Sequence, residues 1–170
     1  MNSAETNALF LYVTGAGTCV RTPDLLRALI PHFSIVYSVL TPNVAQVTHT
    51  APLMEVPGNN WMHTYVQDPL DRFPFGTSLV APCTFNSFNK IAQGLADNLA
   101  TSMIADALGA GCRTIIAPSM NKGLWAHPQT KLSLARFKEW GVEIIAPEIT
   151  EKQVIIAPQE AIVEAVLNHP

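Results

Sequence analysis

The sequence predicts a three-layer α/β sandwich, with one parallel sheet held between two layers of helices. Short apolar runs rich in β-branched and aromatic residues alternate with stretches of helical periodicity, the order that builds parallel sheets through right-handed crossovers. Each run ends in a polar turn containing Gly, Pro or Asn. The 170 residues are 48% hydrophobic and only 14% charged. That balance excludes intrinsic disorder and suits one domain spanning residues 1–170.

The first run, residues 8–13, reads Ala-Leu-Phe-Leu-Tyr-Val and stops at Thr14-Gly15-Ala16-Gly17-Thr18. It is too short for a helix and rich in β-formers, so it predicts a buried strand. Thr22-Pro23-Asp24 opens the apolar residues 25–30 as a helix, with Thr22 at the cap and Pro23 first inside it. Residues 33–40 predict the second strand, ended by Thr41-Pro42-Asn43. Residues 52–74 hold four prolines and predict an irregular connection, with a helical turn over 61–66. Residues 77–81 predict a strand. Residues 89–108, with Ile91, Leu95, Leu99, Met103 and Ala107 at spacing four, predict one helix. Strands at 114–117 and 142–146 flank a helix over 128–140, in which Leu132, Leu134, Phe137 and Trp140 are the apolar positions. A helix over 159–167 closes a Rossmann-like arrangement.

Ten basic and thirteen acidic residues give a net charge of −3 with no basic cluster, so nucleic acid and anionic membranes are not expected partners. Cys19, Cys83 and Cys112 are too widely spaced for a zinc site or a disulfide framework. No signal peptide or membrane-length apolar run is present, which predicts a cytoplasmic protein. The low charge and a mean hydropathy of +0.21 predict that self-association covers part of the surface.

In such a sheet the ligand site lies outside the carboxyl ends of the strands. The turns at 14–18, 41–43, 82–87 and 118–121 should therefore gather on one edge. The first offers hydroxyls and backbone N–H groups suited to phosphate, although the same residues also serve as a tight turn.

The third and fourth turns are more specific. Residues 82–87, Pro-Cys-Thr-Phe-Asn-Ser, precede Lys-Ile-Ala-Gln-Gly-Leu-Ala-Asp-Asn-Leu-Ala-Thr at 90–101. Together they resemble the PASANT segment of the homo-oligomeric flavin-containing cysteine decarboxylases. Pro118-Ser119-Met120-Asn121-Lys122-Gly123-Leu124-Trp125 resembles that family's second signature, PAMNxxMW. The likeness runs from about residue 8 to residue 140, with the motifs in family order. It implies a homotrimer, or a higher assembly of trimers, with FMN between subunits. The cofactor residues it implies are Thr14, Gly15, Gly17, Thr18, Thr41, Thr84, Asn86, Ser87, Thr101, Ser102 and Met120. The implied reaction is oxidative decarboxylation of a cysteinyl carboxylate, on a peptide C-terminus or a pantothenoyl-type substrate, to an enethiol.

His63 precedes the PASANT strand as the family's catalytic histidine does, although about five extra residues follow it. An imidazole titrating near neutrality suits proton transfer or carboxylate holding; the other reading of His63 is a surface loop residue. Asn121 is the second implied catalytic residue, because an amide can donate to a substrate carboxylate. His127 is expected to start a helix, His49 to be structural, and His32 and His169 carry no signal. Cys83, Phe85 and Ser87 replace the family's smaller residues or Thr, and Cys83 is expected to be a small buried apolar residue. Residues 147–158 are short, with no recognisable substrate clamp and no cysteine where phosphopantothenoylcysteine decarboxylases carry one. A flavin prenyltransferase-like enzyme and a non-catalytic FMN-binding partner or regulatory subunit are the alternative readings.

Overall fold

The computed structural model describes residues 7–168. Its main sheet has six parallel strands in the order β3-β2-β1-β4-β5-β7. These are β1 (Ala8–Val13), β2 (Ile35–Leu40), β3 (Asn59–Met62), β4 (Thr77–Cys83), β5 (Thr114–Pro118) and, after the short β6 (Met120–Asn121), β7 (Glu143–Ile144). β1 is buried along its whole length. A strand covered on both faces has no need of polar alternation, which is why it reads as a continuous apolar run. Its side chains still alternate. Leu9, Leu11 and Val13 join Leu26, Leu29 and Ile162 on one face, while Phe10 and Tyr12 join Phe88, Met103 and Phe137 on the other.

The helices that cover these faces are α1 (Thr22–Leu29), α2 (Phe85–Gln93), α3 (Leu99–Gly109), α4 (Pro128–Glu139) and α5 (Gln159–Leu167). From β1 the chain winds outward through β2 to β3, then returns to β4 and winds the other way through β5 to β7. The direction reverses between β1 and β4. Their carboxyl ends form the crevice where such sheets bind ligands.

The expected fold class is found, and several elements differ in detail. Thr22 is not a cap. A 3-10 turn over Gly17–Arg21 runs directly into α1, so Arg21 holds the cap position. The helix expected over 89–108 is two helices, broken where Gly94 takes φ of 70° and ends α2 in the left-handed region. Asn98 then starts α3 with a capping box, its side chain accepting from the Thr101 N–H while Thr101 returns to the Asn98 N–H. The helical turn expected over 61–66 is absent: Trp61 and Met62 end the edge strand β3, the chain turns after them, and helical turns occur earlier, at Val44–Val47 and Ala51–Met54. Side-chain amides help hold β3. Asn60 donates to Val36 O at 3.0 Å and Asn59 to Ser38 Oγ at 2.7 Å, so a strand poor in β-formers still pairs with β2. On α4 only Phe137 of the four apolar positions is fully buried, and Leu132 and Trp140 are exposed.

A second, three-stranded antiparallel sheet was not foreseen. Residues 147–158 contain the hairpin β8 (Glu148–Ile149) and β9 (Gln153–Ile155), and β9 pairs with β6. Thr150 Oγ1 closes the turn by accepting from the Gln153 N–H at 2.9 Å.

Candidate functional site

Thr14 follows β1 and fastens it to β4. Its hydroxyl donates to Pro82 O at 2.8 Å and accepts the Thr84 N–H at 2.8 Å. Gly15 lets the 41–43 turn come close, since a Cβ there would lie 2.8 Å from Asn43 O. Thr84 caps α2 by accepting from the Ser87 N–H at 3.3 Å, which aims the start of that helix into the crevice. Thr18 Oγ1 meets Ser119 Oγ at 2.8 Å and joins the first turn to the end of β5. The three turns are thus bonded to one another around the switch point.

Two cavities open there. The larger, about 540 Å³, is lined by Gly17, Thr18, Phe85, Met120, Asn121 and Leu124 among others, and is roofed by Gln153, Val154 and Ile155 of β9. No charged residue lines it. The smaller, about 160 Å³, is polar and is lined by Gly15, Thr41, Asn43, Ser87, Lys90, Asp97 and Asn98, among others. Thr84 and Asn86 line both. Lys90 is ion-paired with Asp97, and this contact holds the Asp97 carboxyl below its usual range.

The crevice therefore brings together Gly15, Gly17, Thr18, Thr41, Thr84, Asn86, Ser87, Met120 and Asn121 of the residues expected from sequence. Thr14 is buried just behind it as the strand fastener. Thr101 and Ser102 line neither cavity. Thr101 is spent on the capping box and Ser102 Oγ donates to Ala96 O at 3.4 Å. Gln153, Val154 and Ile155 were not anticipated. The short apolar run Val154-Ile155-Ile156 was the one available signal, and their place over the cavity depends on pairing with β6.

His63 stands apart. It follows edge strand β3, is exposed, and lies against the Trp61 ring with centroids 4.8 Å apart. With strands spaced ~4.8 Å, β3 is roughly 10 Å from β1 and roughly 14 Å from β4. One chain does not carry His63 to Asn121. His127 does start α4, its Nδ1 accepting from the Gln129 N–H at 3.0 Å. Cys83 is fully buried, and desolvation pushes its thiol well above the usual range, so it is no nucleophile. Among the described residues no cluster of His, Cys, Asp and Glu could hold a metal, and no helix is long and apolar enough to cross a membrane.

The family described as flavoprotein matches residues 2–169. The coenzyme A biosynthesis bifunctional protein CoaBC of Thermococcus kodakarensis is 29% identical over 95% of this chain and 42% of its own length. Phosphopantothenoylcysteine decarboxylase of Mus musculus is 39% identical over 45% of this chain and 36% of its own. The matches thus span less than half the length of these curated relatives. Among solved structures, a PPC decarboxylase mutant complexed with pantothenoylaminoethenethiol superposes with a TM-score of 0.80 at 21% identity, over 95% of this chain and 96% of that one. The peptidyl-cysteine decarboxylase EpiD gives 0.79 at 22% identity, over 95% and 98%. At these identities the likeness establishes the fold.

Proposed function

The chain belongs to the flavoprotein family, and on that premise we propose that it holds FMN across the paired cavities and oxidatively decarboxylates a cysteinyl carboxylate to an enethiol. The observation that carries this reading is the junction of the two cavities at Thr84 and Asn86. A wide compartment with Phe85, Met120, Leu124 and Val154 in its wall suits a flat aromatic ring, and the narrow polar one suits a phosphate tail. The larger volume falls within the range of about 300–1,000 Å³ usual for cofactor sites. Hydroxyls of Thr41 and Ser87 and the capped start of α2 supply neutral donors for the phosphate, as anion sites at helix N-termini do. Asn86 holds the cofactor at the junction.

When bound, FMN supplies the two-electron sink for oxidation of the cysteine side chain, after which CO2 is lost. The chain's own residues receive the substrate. Asn121 donates its amide N–H groups to the carboxylate. No charged side chain of the same chain lines that compartment, so within one copy the carboxylate meets neutral dipoles. Residues of β9 wall the compartment on one side. His63 comes from a second copy, where its imidazole accepts a proton or holds the carboxylate. Tyr65 and Val66, immediately after it, are 57% and 92% exposed. An apolar tip of that kind fits a subunit contact, and the assembly is a homotrimer or a larger set of trimers.

Purified protein should be yellow and release FMN on denaturation. Anaerobic addition of a cysteine-terminal peptide or of phosphopantothenoylcysteine should bleach the flavin and yield a product lighter by CO2 and two hydrogens. A protein that cannot be loaded with FMN would overturn the reading. A loaded protein inert toward both substrates would make it an FMN-binding partner.

A further inference from the structure

We propose that Gln67 is a positioning residue for His63, acting by occupying the open edge of the sheet as one residue of a missing strand would. This rests on the role given to His63 above. β3 is an edge strand, and its register with β2 ends at Val39↔Met62, so past Met62 the ladder no longer sets the direction of the chain. Gln67 takes over at that point. Its Oε1 accepts the His63 N–H at 3.0 Å, and its Nε2 donates to Trp61 O at 2.8 Å. The two groups straddle Met62 on the outer edge, which is the donor and acceptor spacing that a residue of a parallel neighbour bridges. The amide can sit only one way round, because the Trp61 carbonyl only accepts and the His63 N–H only donates.

The residues that place Gln67 belong to the stretch that sets this chain apart, the segment lengthened between His63 and β4. That segment is pinned at its far end by Phe73 and Phe75, which meet the Phe10 ring edge-on at 5.0 and 5.3 Å. Near Gln67 it is closed by the Leu70 N–H donating to Gln67 O at 3.1 Å. The Arg72–Asp68 pair at 3.0 Å adds a second closure. Gln67 is therefore presented from a fixed loop. Trp61 lies against the imidazole with the two rings tilted by 31°, and its buried Nε1 has no hydrogen-bond partner, so the ring is placed by packing and gives the histidine an apolar backing. Backbone from one side and ring from the other together fix where His63 points into the neighbouring copy.

The test is Gln67→Met, which keeps the side chain's length and loses both bonds, beside Gln67→Glu and His63→Ala in the FMN-loaded oligomer. With Q67M, kcat should fall about tenfold or more while KM changes less than twofold, since misplacing a reacting group by about 1 Å can cost 10²-fold. Flavin content and melting temperature should stay near those of the parent. Q67E supplies a signature that mere edge closure does not. A protonated carboxyl donates and accepts as the amide does, so its kcat relative to the parent should climb as pH falls, whereas the Q67M ratio stays flat. His63, Tyr65, Asp68, Asp71 and Arg72 are the titratable groups of the same segment, and they are present in both variants. A Q67M kcat equal to the parent's, with H63A inactive, would overturn this inference alone. A fully active H63A would overturn it together with the role of His63. Independently of turnover, diethyl pyrocarbonate should modify His63 at a rate severalfold different in Q67M. An unchanged rate overturns the inference even if the protein proves not to be a decarboxylase.

Discussion

Thr18 and Ser119 meet hydroxyl to hydroxyl at 2.8 Å across 101 positions of sequence, in the wall of the larger cavity. The bond joins the turn after β1 to the turn after β5, so the cavity has a fixed width between the first turn and Asn121. Ser119→Ala should leave the Thr18 hydroxyl part-buried without its partner and cost about 1 kcal/mol of stability. Adding Thr18→Val to it should cost less than the sum of the two single changes. Chemical denaturation of the four proteins measures the coupling, and strict additivity would show that the hydroxyls do not interact.

Asn86 lines both cavities, so its replacement should act on the cofactor before it acts on catalysis. Asn86→Ala should lower flavin affinity about tenfold through loss of a hydrogen bond to the cofactor worth roughly 1 kcal/mol or more. Asn86→Lys should do worse by filling the junction. Flavin fluorescence during titration of the stripped protein reads both values. Full occupancy in both variants would place the cofactor elsewhere.

Cys83 lies beneath this junction, on the opposite side of the backbone from the cavities. Its thiol is pushed above the ordinary value of 9.0, the cause being burial. A raised value in the folded state means that folding is favoured by protonation. The contribution is intact below pH 9.0 and is lost as pH rises past it. Tyr12, also buried and raised from its ordinary value of 10.0, adds to the loss at higher pH. Unfolding free energy should therefore fall above pH 9.0 by up to about 1.4 kcal/mol per pH unit for the first group. Cys83→Ala should remove that first part of the slope. Iodoacetamide at neutral pH should label half-buried Cys112 and leave Cys83 untouched until the protein unfolds.

The sheet was legible because β1, β4 and β5 are buried on both faces, and burial of that kind leaves a continuous apolar run in the sequence. The turns that build the crevice were legible for a similar reason, since the hydroxyls and small residues at 14–18 and 84–87 have few other uses together. What escaped depends on contacts distant in sequence. Asn59 and Asn60 look like a turn, and it is backbone pairing with β2, supported by their side-chain amides, that makes them strand. The periodicity of 89–108 continued across Gly94, yet a glycine with positive φ ended the helix. Gln67 carries no local pattern at all; its importance comes from the vacant edge of β3. Thr101 has a structural use that the sequence did not announce, since it completes the capping box at the start of α3.

The β8–β9 hairpin leads to the last prediction, which concerns where the reaction stops. β9 of the hairpin lines the compartment proposed to receive the substrate, and the residues from Glu148 to Ile155 include no cysteine. Returning an enethiol to the saturated thiol needs two electrons and a proton donor poised above the double bond, the task of the clamp cysteine that the family resemblance leads one to seek there. Cys19 and Cys83 are buried, and Cys112 precedes β5 at the opposite edge of the sheet from the crevice. A second copy brings the same three thiols in the same places. Oxidised substrate should therefore leave as the enethiol, with the electrons retained on the flavin until oxygen or another acceptor removes them. In a single anaerobic turnover the visible absorbance should fall and stay low, and the product should lack CO2 and two hydrogens. Gln153→Cys, which places a thiol on the roof directly opposite Asn121, should restore part of the colour and shift the product mass up by two hydrogens. Spontaneous recovery of the absorbance in the parent, with a product lacking CO2 alone, would show that another group performs the reduction.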